Sequence, residues 1–217
     1  MPNWTTNVIT IKHKDSTLID AIEATEGRSD GVLQTIIPCP AELNDEDLTT
    51  WGHGPEQEAR DKKKAAVKAK YGYESWYEWN IAHWGTKWDL CEVGYTRMDA
   101  NTIVLHCQTA WSPPTAAFGS MVDLGYEVRA LYYGEGYEYA GIWDNGQDDY
   151  YDTTNGSADA RAKLPKELED AFAISDSLEE FEREEEEELT LWIKDGVEAK
   201  NGTTVQIHIH SRVRQRW

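Results

Sequence analysis

The strongest constraint on this chain is the order in which strand-like and helix-like segments follow one another. Trp4–Ile11 (WTTNVITI) is rich in β-branched residues, which suit a pleated backbone, and reads as a first strand. Asp15 or Ser16 is placed to cap a short helix through Thr25, with Leu18, Ile19 and Ile22 at helical spacing. Val32–Ile37 reads as a second strand, stopped by Pro38 and Pro40. After an insertion, Trp88–Tyr95 and Thr102–Thr109 read as neighbouring strands around the turn Asp99-Ala100-Asn101. Ser112-Pro113-Pro114 opens a helix to about Leu124, proline suiting a first helical turn. Tyr126–Tyr133 and Tyr137–Trp143 are two further strands around Gly134-Glu135-Gly136. This order implies an α+β fold: an antiparallel sheet with helices on one face, whose natural closed form is the split βαβ arrangement of a ferredoxin-like domain.

Residues 41–87 interrupt that order as a helical insertion. Ala59–Lys70 is helix-forming and basic, and in the stretch after it Trp76, Tyr77, Ile81 and Trp84 fall on one helical stripe, with Gly85 as C-terminal cap. Beyond residue 145 the composition turns acidic. Gln147–Gly156 reads as a polar loop and Leu164–Glu188 as a helix. Leu189–Lys194 and Val205–His210 read as a hairpin around Asn201-Gly202. The expected organisation is a ferredoxin-like domain over 1–145 and an acidic C-terminal extension, helix plus hairpin, over 146–217.

A chain of 217 residues is long enough to bury a core without disulfides or metals, and ten Trp and eleven Tyr supply it with large apolar area. Three cysteines (Cys39, Cys91, Cys107), an odd number without CxxC spacing, point to a reducing compartment. Met1–Ile11 has neither the basic region nor the apolar run of a signal peptide, and no stretch is apolar enough to span a membrane, so a cytoplasmic protein is expected. The net charge is −19, and 19 acidic against four basic residues between Tyr132 and Thr190 concentrate −15 of it there. Such a field repels nucleic-acid phosphate and anionic membranes, leaving a protein with a basic surface as the natural partner.

Several motifs resemble one family. The start MPNWxxN, the IPxP at Ile37–Pro40, the run from Trp76 through Trp84-Gly85-Thr86-Lys87-Trp88-Asp89, the segment Thr109-Ala110-Trp111-Ser112-Pro113-Pro114 and the stretch Tyr133-Gly134-Glu135-Gly136 to Ala140-Gly141 are similar to the YubB-like proteins of phages and conjugative plasmids. The resemblance covers about residues 1–145 and departs from the usual pattern at Thr5, where a Cys commonly sits. It implies a ferredoxin-like domain and a mobile-element context. It implies no reaction, and no catalytic residue is carried over from it.

Two sets of residues are candidate sites. Trp76, Trp79, His83, Trp84, Lys87, Trp88, Asp89 and Trp111 are one set: aromatic walls with a few polar groups suit an apolar or planar ligand. The plainer alternative is that these tryptophans pack the insertion onto the sheet. The second set is acidic: Asp148, Asp149, Asp152, Glu179, Glu180, Glu182, Glu184, Glu185, Glu186, Glu187 and Glu188. As a helix, Glu179–Glu188 carries one net charge per ~2 Å, close to the ~1.7 Å of duplex DNA, and so imitates phosphate. The plainer alternative there is a solvated charged face. His208-x-His210 puts two imidazoles on one strand face, with His106 or Cys107 as a third ligand, which is too thin a set for zinc. No metal and no cofactor are expected. There is no phosphate-binding glycine loop and no nucleophile elbow.

The leading expectation is therefore a non-enzymatic phage or plasmid accessory protein. It binds and inhibits a host protein through its acidic surface, for anti-defence or host takeover, with nucleic-acid mimicry as one means. The alternative is a small-ligand or nucleotide binder using the Trp-rich pocket. An enzyme centred on Glu78, His83 and Asp89 ranks third, and RNA binding through Lys62–Lys70 ranks low as well.

Overall fold

The computed structural model describes residues 3–28, 31–49, 55–134, 136 and 138–198. Six strands form one antiparallel sheet: β1 (Trp4–Lys12), β2 (Cys91–Asp99), β3 (Thr102–Ala110), β4 (Glu127–Gly134), β5 (Tyr139–Asp144) and β6 (Gln147–Asp152). Their spatial order is β2-β3-β1-β4-β5-β6. β1 lies at the centre, antiparallel to β3 on one side and β4 on the other, and β3 separates it from β2. That is the pairing of a split βαβ unit, extended here by β5 and β6 beyond the β4 edge. The fold class expected from the sequence is the one observed.

Alternation along β1 explains its central place. Thr5, Asn7, Ile9 and Ile11 are buried on one face, while Trp4, Thr6, Val8 and Thr10 on the other are half-buried. The first face holds the larger core. Ile9, Ile11, Ile103, Leu105, Val128 and Ala130 meet Ile19 and Ile22 of α1 (Ser16–Glu23), Val32 and Leu33 of α2 (Val32–Ile36), and Phe118 and Met121 of α5 (Thr115–Asp123). The other face is covered over β4 and β5, where Tyr133, Ala140 and Ile142 pack on α6 (Ser157–Lys163), α7 (Lys166–Phe172) and α8 (Ile174–Glu198) through Ala160, Leu168, Ile174 and Leu178. Tyr132 and Tyr133 are neighbours on β4 yet belong to different cores, as strand alternation requires. Helices therefore lie on both faces, not on one.

The insertion forms α3 (Pro55–Tyr71) and α4 (Trp76–His83), preceded by two short 3₁₀ turns, Ala41–Asn44 and Glu46–Leu48. Three basic side chains of α3 are held in ion pairs. Lys63 meets Asp45 and Asp47, Lys68 meets Glu74, and Lys70 meets Glu42.

Four segments differ from expectation. Val32–Ile36 is a helix rather than a strand, because the Asp89 carboxylate accepts the N–H groups of Leu33 and Gln34 at its start. Gln147–Asp152 is a strand rather than a loop, paired with β5 along its length, so the chain past residue 145 continues the sheet. The helix expected over Leu164–Glu188 is two, α7 and α8, with α6 before them: Pro165 caps α7, and Ala173, at φ 49°, separates α7 from α8. Helix α8 also runs through Leu189–Lys194, where a hairpin strand was expected. Asn201-Gly202, Val205–His210 and the His208/His210 pair lie outside the described residues. Among the described residues no helix is long and apolar enough to cross a membrane, and the three cysteines are free.

Gly141 faces Tyr132 across the β4–β5 ladder, and an added Cβ would lie under 3.0 Å from the phenol ring. Gly141→Ala is therefore expected to cost about 1–3 kcal/mol in urea unfolding through overpacking. Gly119, in α5 with open space around it, is the control. Its replacement by Ala should stabilise by about 0.5–1 kcal/mol through helix propensity.

Candidate functional site: a tryptophan-lined cleft

The turn between α4 and β2 builds the site. At the start of α4 the Glu78 carboxylate reaches back to accept the N–H of Glu74, the residue ahead of the N-cap Ser75, at 2.9 Å. The helix ends as Gly85, at φ 79°, donates its N–H to the carbonyls of Asn80 and Ile81. This left-handed closure is the one expected of Gly85. The buried residues of α4 are Trp79 and Asn80, with Trp84 just beyond, whereas Tyr77 and Ile81 face solvent. The stripe read from the sequence was thus rotated, because Asn80 turns inward with the tryptophans.

Trp84 is 4% exposed, its indole N–H donating to the Ile37 carbonyl at 3.0 Å. Trp79 meets Trp84 edge-to-face and stacks on His83 at 4.3 Å. These two tryptophans are core, whereas Trp76 and Trp88 are half-buried and Trp111 is exposed. The WGTKWD and TAWSPP motifs make one unit. Thr86 Oγ1 donates to the Ala110 carbonyl at 2.9 Å, Ser112 Oγ to the Gly85 carbonyl at 2.7 Å, and Asn80 Nδ2 to the Lys87 carbonyl at 2.9 Å.

Asp89 fixes the far wall. One carboxylate oxygen accepts Leu33 N–H at 2.9 Å and Leu90 N–H at 2.7 Å, and the other accepts Gln34 N–H at 2.8 Å. Gly31 is required beside it, since a Cβ there would overlap the carboxylate. Burial pushes the Asp89 carboxyl above its ordinary value of 3.8, and the backbone donors only partly offset that rise.

Between these elements lies an open cleft of about 450 Å³, lined by Trp76, Trp84 and Trp88 and by Gly31, Gln34, Asn44, Asn80 and Asp89. Asn80 is 5% exposed, and its Oδ1 has no hydrogen-bond partner among the described residues. The sequence reading missed Asn80, Gln34, Asn44 and Gly31. An Asn inside a tryptophan-rich helix, where its propensity is poor, was the available signal. The third grouping, Glu78, His83 and Asp89, does not converge: His83 lies between Trp79 and Tyr73, while both carboxylates accept backbone N–H groups. His106 and Cys107 point to opposite faces of β3, one exposed and one buried. The described residues hold no cluster of three metal-ligating side chains.

The acidic set divides in two. Asp148 accepts the Tyr132 hydroxyl at 2.6 Å, and Asp149 accepts from the Gln147 amide. Asp152 closes a turn with Thr154, which holds its carboxyl low. Glu179 pairs with Arg161, and Glu180 with Arg183 at 3.5 Å. Glu182 accepts both the N–H and the hydroxyl of Ser157 at the start of α6, and those bonds lower its pKa. Glu185 is half-buried, and Glu184, Glu186, Glu187 and Glu188 are exposed.

Asp89→Ala would strand three backbone donors and should cost about 3 kcal/mol or more in chemical unfolding. A carboxyl whose folded pKa lies above its unfolded value destabilises as it ionises. The wild-type advantage over Asp89→Ala is therefore expected to shrink as pH rises from 3.8 through the folded-state value. Paired unfolding curves at several pH values measure it.

No protein-family model matches this chain. No curated protein matches it either. Among solved structures it is similar to the crystal structure of a protein api92 from Yersinia pseudotuberculosis, described under the family model DUF1281. The two share 12% identity with a TM-score of 0.38, over 70% of this chain and 98% of that one, a likeness too slight to assign fold or activity.

Proposed function

We propose that the protein binds a small ligand with a planar apolar body and a hydrogen-bond donor, such as a nucleobase or nucleoside, in the tryptophan-lined cleft. The observation that carries this reading is the convergence of Trp76, Trp84 and Trp88 around Asn80, whose buried Oδ1 lacks a partner. A buried unpaired acceptor costs free energy that a ligand donor recovers once the Asn80 amide turns toward the cleft it lines, and the cleft volume lies within the range of small-molecule sites. Titration of tryptophan fluorescence with free nucleobases and nucleosides tests it. Trp88→Ala and Trp76→Ala, at half-buried positions, should stay folded and lose at least about tenfold in affinity, the equivalent of roughly one good ring contact. Trp84→Ala, at a core position, should instead lose about 3–5 kcal/mol of stability. Unchanged affinity in both cleft variants, or no response of the wild type to any of these compounds, sinks the reading.

A second reading has its own support. Glu180, Glu184, Glu187 and Glu188 are exposed at positions i, i+4, i+7 and i+8 along one side of α8, while Ile174 and Leu178 face inward. We infer from this stripe a phage- or plasmid-type accessory role: binding and inhibition of a host protein through an acidic, nucleic-acid-mimicking surface. Glu184, Glu187 and Glu188 make no hydrogen bond or ion pair among the described residues, so replacing them with Gln removes charge without disturbing an internal contact. A partner captured from bacterial lysate should then bind more weakly, and added salt should weaken the wild-type complex. Equal, salt-insensitive binding assigns the stripe to solvation.

A further inference from the structure

Forty Asp and Glu outnumber twenty-one Lys and Arg in this chain. Many basic side chains of the described surface find carboxylates, as Lys68, Lys70, Arg97 and Arg161 do. Lys87, like Lys12, Lys14, Lys62 and Lys64, does not. No ion pair holds its ammonium among the described residues. It lies instead 4.4 Å from the ring centroid of Trp88, 5.4 Å from that of Trp111 and 6.0 Å from that of Tyr77. Ring faces carry the negative pole of the aromatic quadrupole and attract a cation within about 6 Å. Tyr77 and Trp111 meet edge-to-face at 6.4 Å, and Trp4 backs Trp88 at 6.0 Å.

These rings come from three places: the outward side of α4, the turn after it, and the loop after β3. The box opens to solvent, with Tyr77 39% and Trp111 44% exposed. Trp111 is held there at a φ of 73°, a backbone region in which side chains other than glycine are strained. Its N–H donates to the Asn3 carbonyl at 2.8 Å, and its carbonyl accepts the Tyr139 hydroxyl at 3.0 Å. Strain fixed by surrounding bonds is a mark of functional positions.

We propose that Tyr77, Trp88 and Trp111 form a cage for a small, free quaternary ammonium compound of the choline type, with the Lys87 ammonium as its built-in competitor. A primary ammonium is compact and strongly hydrated, and it gives up hydrogen bonds to water on entering a ring cage. A quaternary ammonium donates no hydrogen bonds and loses less. The net charge of −19 raises the local concentration of any cation. The cage shares Trp88 with the cleft but does not depend on what the cleft binds.

The test is titration of the full chain with choline chloride, followed by broadening of the choline methyl signal in proton NMR. Potassium chloride at equal ionic strength is the control. Wild type should broaden the signal, and Lys87→Ala, which removes the competitor, should bind several-fold tighter. Tyr77→Ala and Trp111→Gly should each weaken binding by about 2- to 30-fold, the range of a cation–ring contact. Trp111→Gly relieves the backbone strain as it deletes the ring, so a loss in that variant reports the ring and not the fold. Complete displacement by potassium, or equal affinity in wild type and Lys87→Ala, overturns the proposal. So does pelleting with phosphatidylcholine vesicles in the absence of any binding to free choline.

Discussion

A single half-buried carboxylate ties the start of α2 to the residues that lead into β2. Asp89 sits where the insertion returns to the sheet, and its two oxygens gather the N–H groups of Leu33, Gln34 and Leu90. Those donors belong to the start of α2 and to the residue just ahead of β2, segments more than fifty positions apart in sequence. Without an acceptor the first turn of α2 would bury unpaired N–H groups in the larger core. The carboxyl remains there against the desolvation that raises its pKa, because three donors replace much of the lost water. The position of Trp88, next in the chain, and hence of the cleft wall, follows from that anchor.

What the sequence disclosed and what it hid follow from the same distinction between local and distant causes. β1, β3, β4 and β5, α1 with its Asp15 cap, α4 with its Gly85 closure, and α5 after Pro113-Pro114 are governed by neighbouring residues, and all were legible. VLQTII suits a strand as well as a helix, and the carboxylate that decides for a helix lies at position 89. QDDYYD reads as a loop because its carboxylates suggest solvent, yet an edge strand tolerates charge on both faces. Its place is set by the pairing partner β5, not by its own pattern. Leu189–Lys194 has the apolar residues of a strand but continues a helix already propagating from Ile174.

The candidate site was legible by residue type but not by role. Eight side chains around the tryptophan motif were named as one pocket, and they divide into core (Trp79, Trp84), a ring stacked on it (His83), cleft wall (Trp76, Trp88), anchor (Asp89) and a surface box (Lys87, Trp111). Spacing cannot make that division, since it depends on which side of α4 meets the sheet. Asn80 sets that side: once its amide donates to the Lys87 carbonyl, Trp79 and Trp84 turn inward and Tyr77 turns out. The acidic residues divide on similar grounds. Up to Glu182 each carboxylate of the set has an internal donor, and the exposed run follows only after α8 has passed the start of α6.

Trp111 shows how far burial alone accounts for the tryptophans. The loop after β3 is closed by Thr109 Oγ1 on the Ser112 carbonyl, by Ser112 Oγ on the Gly85 carbonyl, and by the Trp111 N–H on Asn3. Apart from the Thr109 and Ser112 hydroxyls, every group in those bonds is backbone. Glycine at position 111 would make the same loop without the penalty of a positive φ, about 1–2 kcal/mol for a residue with a Cβ. An indole 44% exposed recovers part of that by burial, but much of its area stays in water. Two further contributions are the edge-to-face contact with Tyr77 at 6.4 Å and the attraction between the indole face and the Lys87 ammonium 5.4 Å away. At a solvent-open site that attraction is modest, so the fold alone gives weak reason for a tryptophan at this position. The ring is held outward, on a strained backbone, beside a cation with no carboxylate, and that geometry suits contact with something outside the chain.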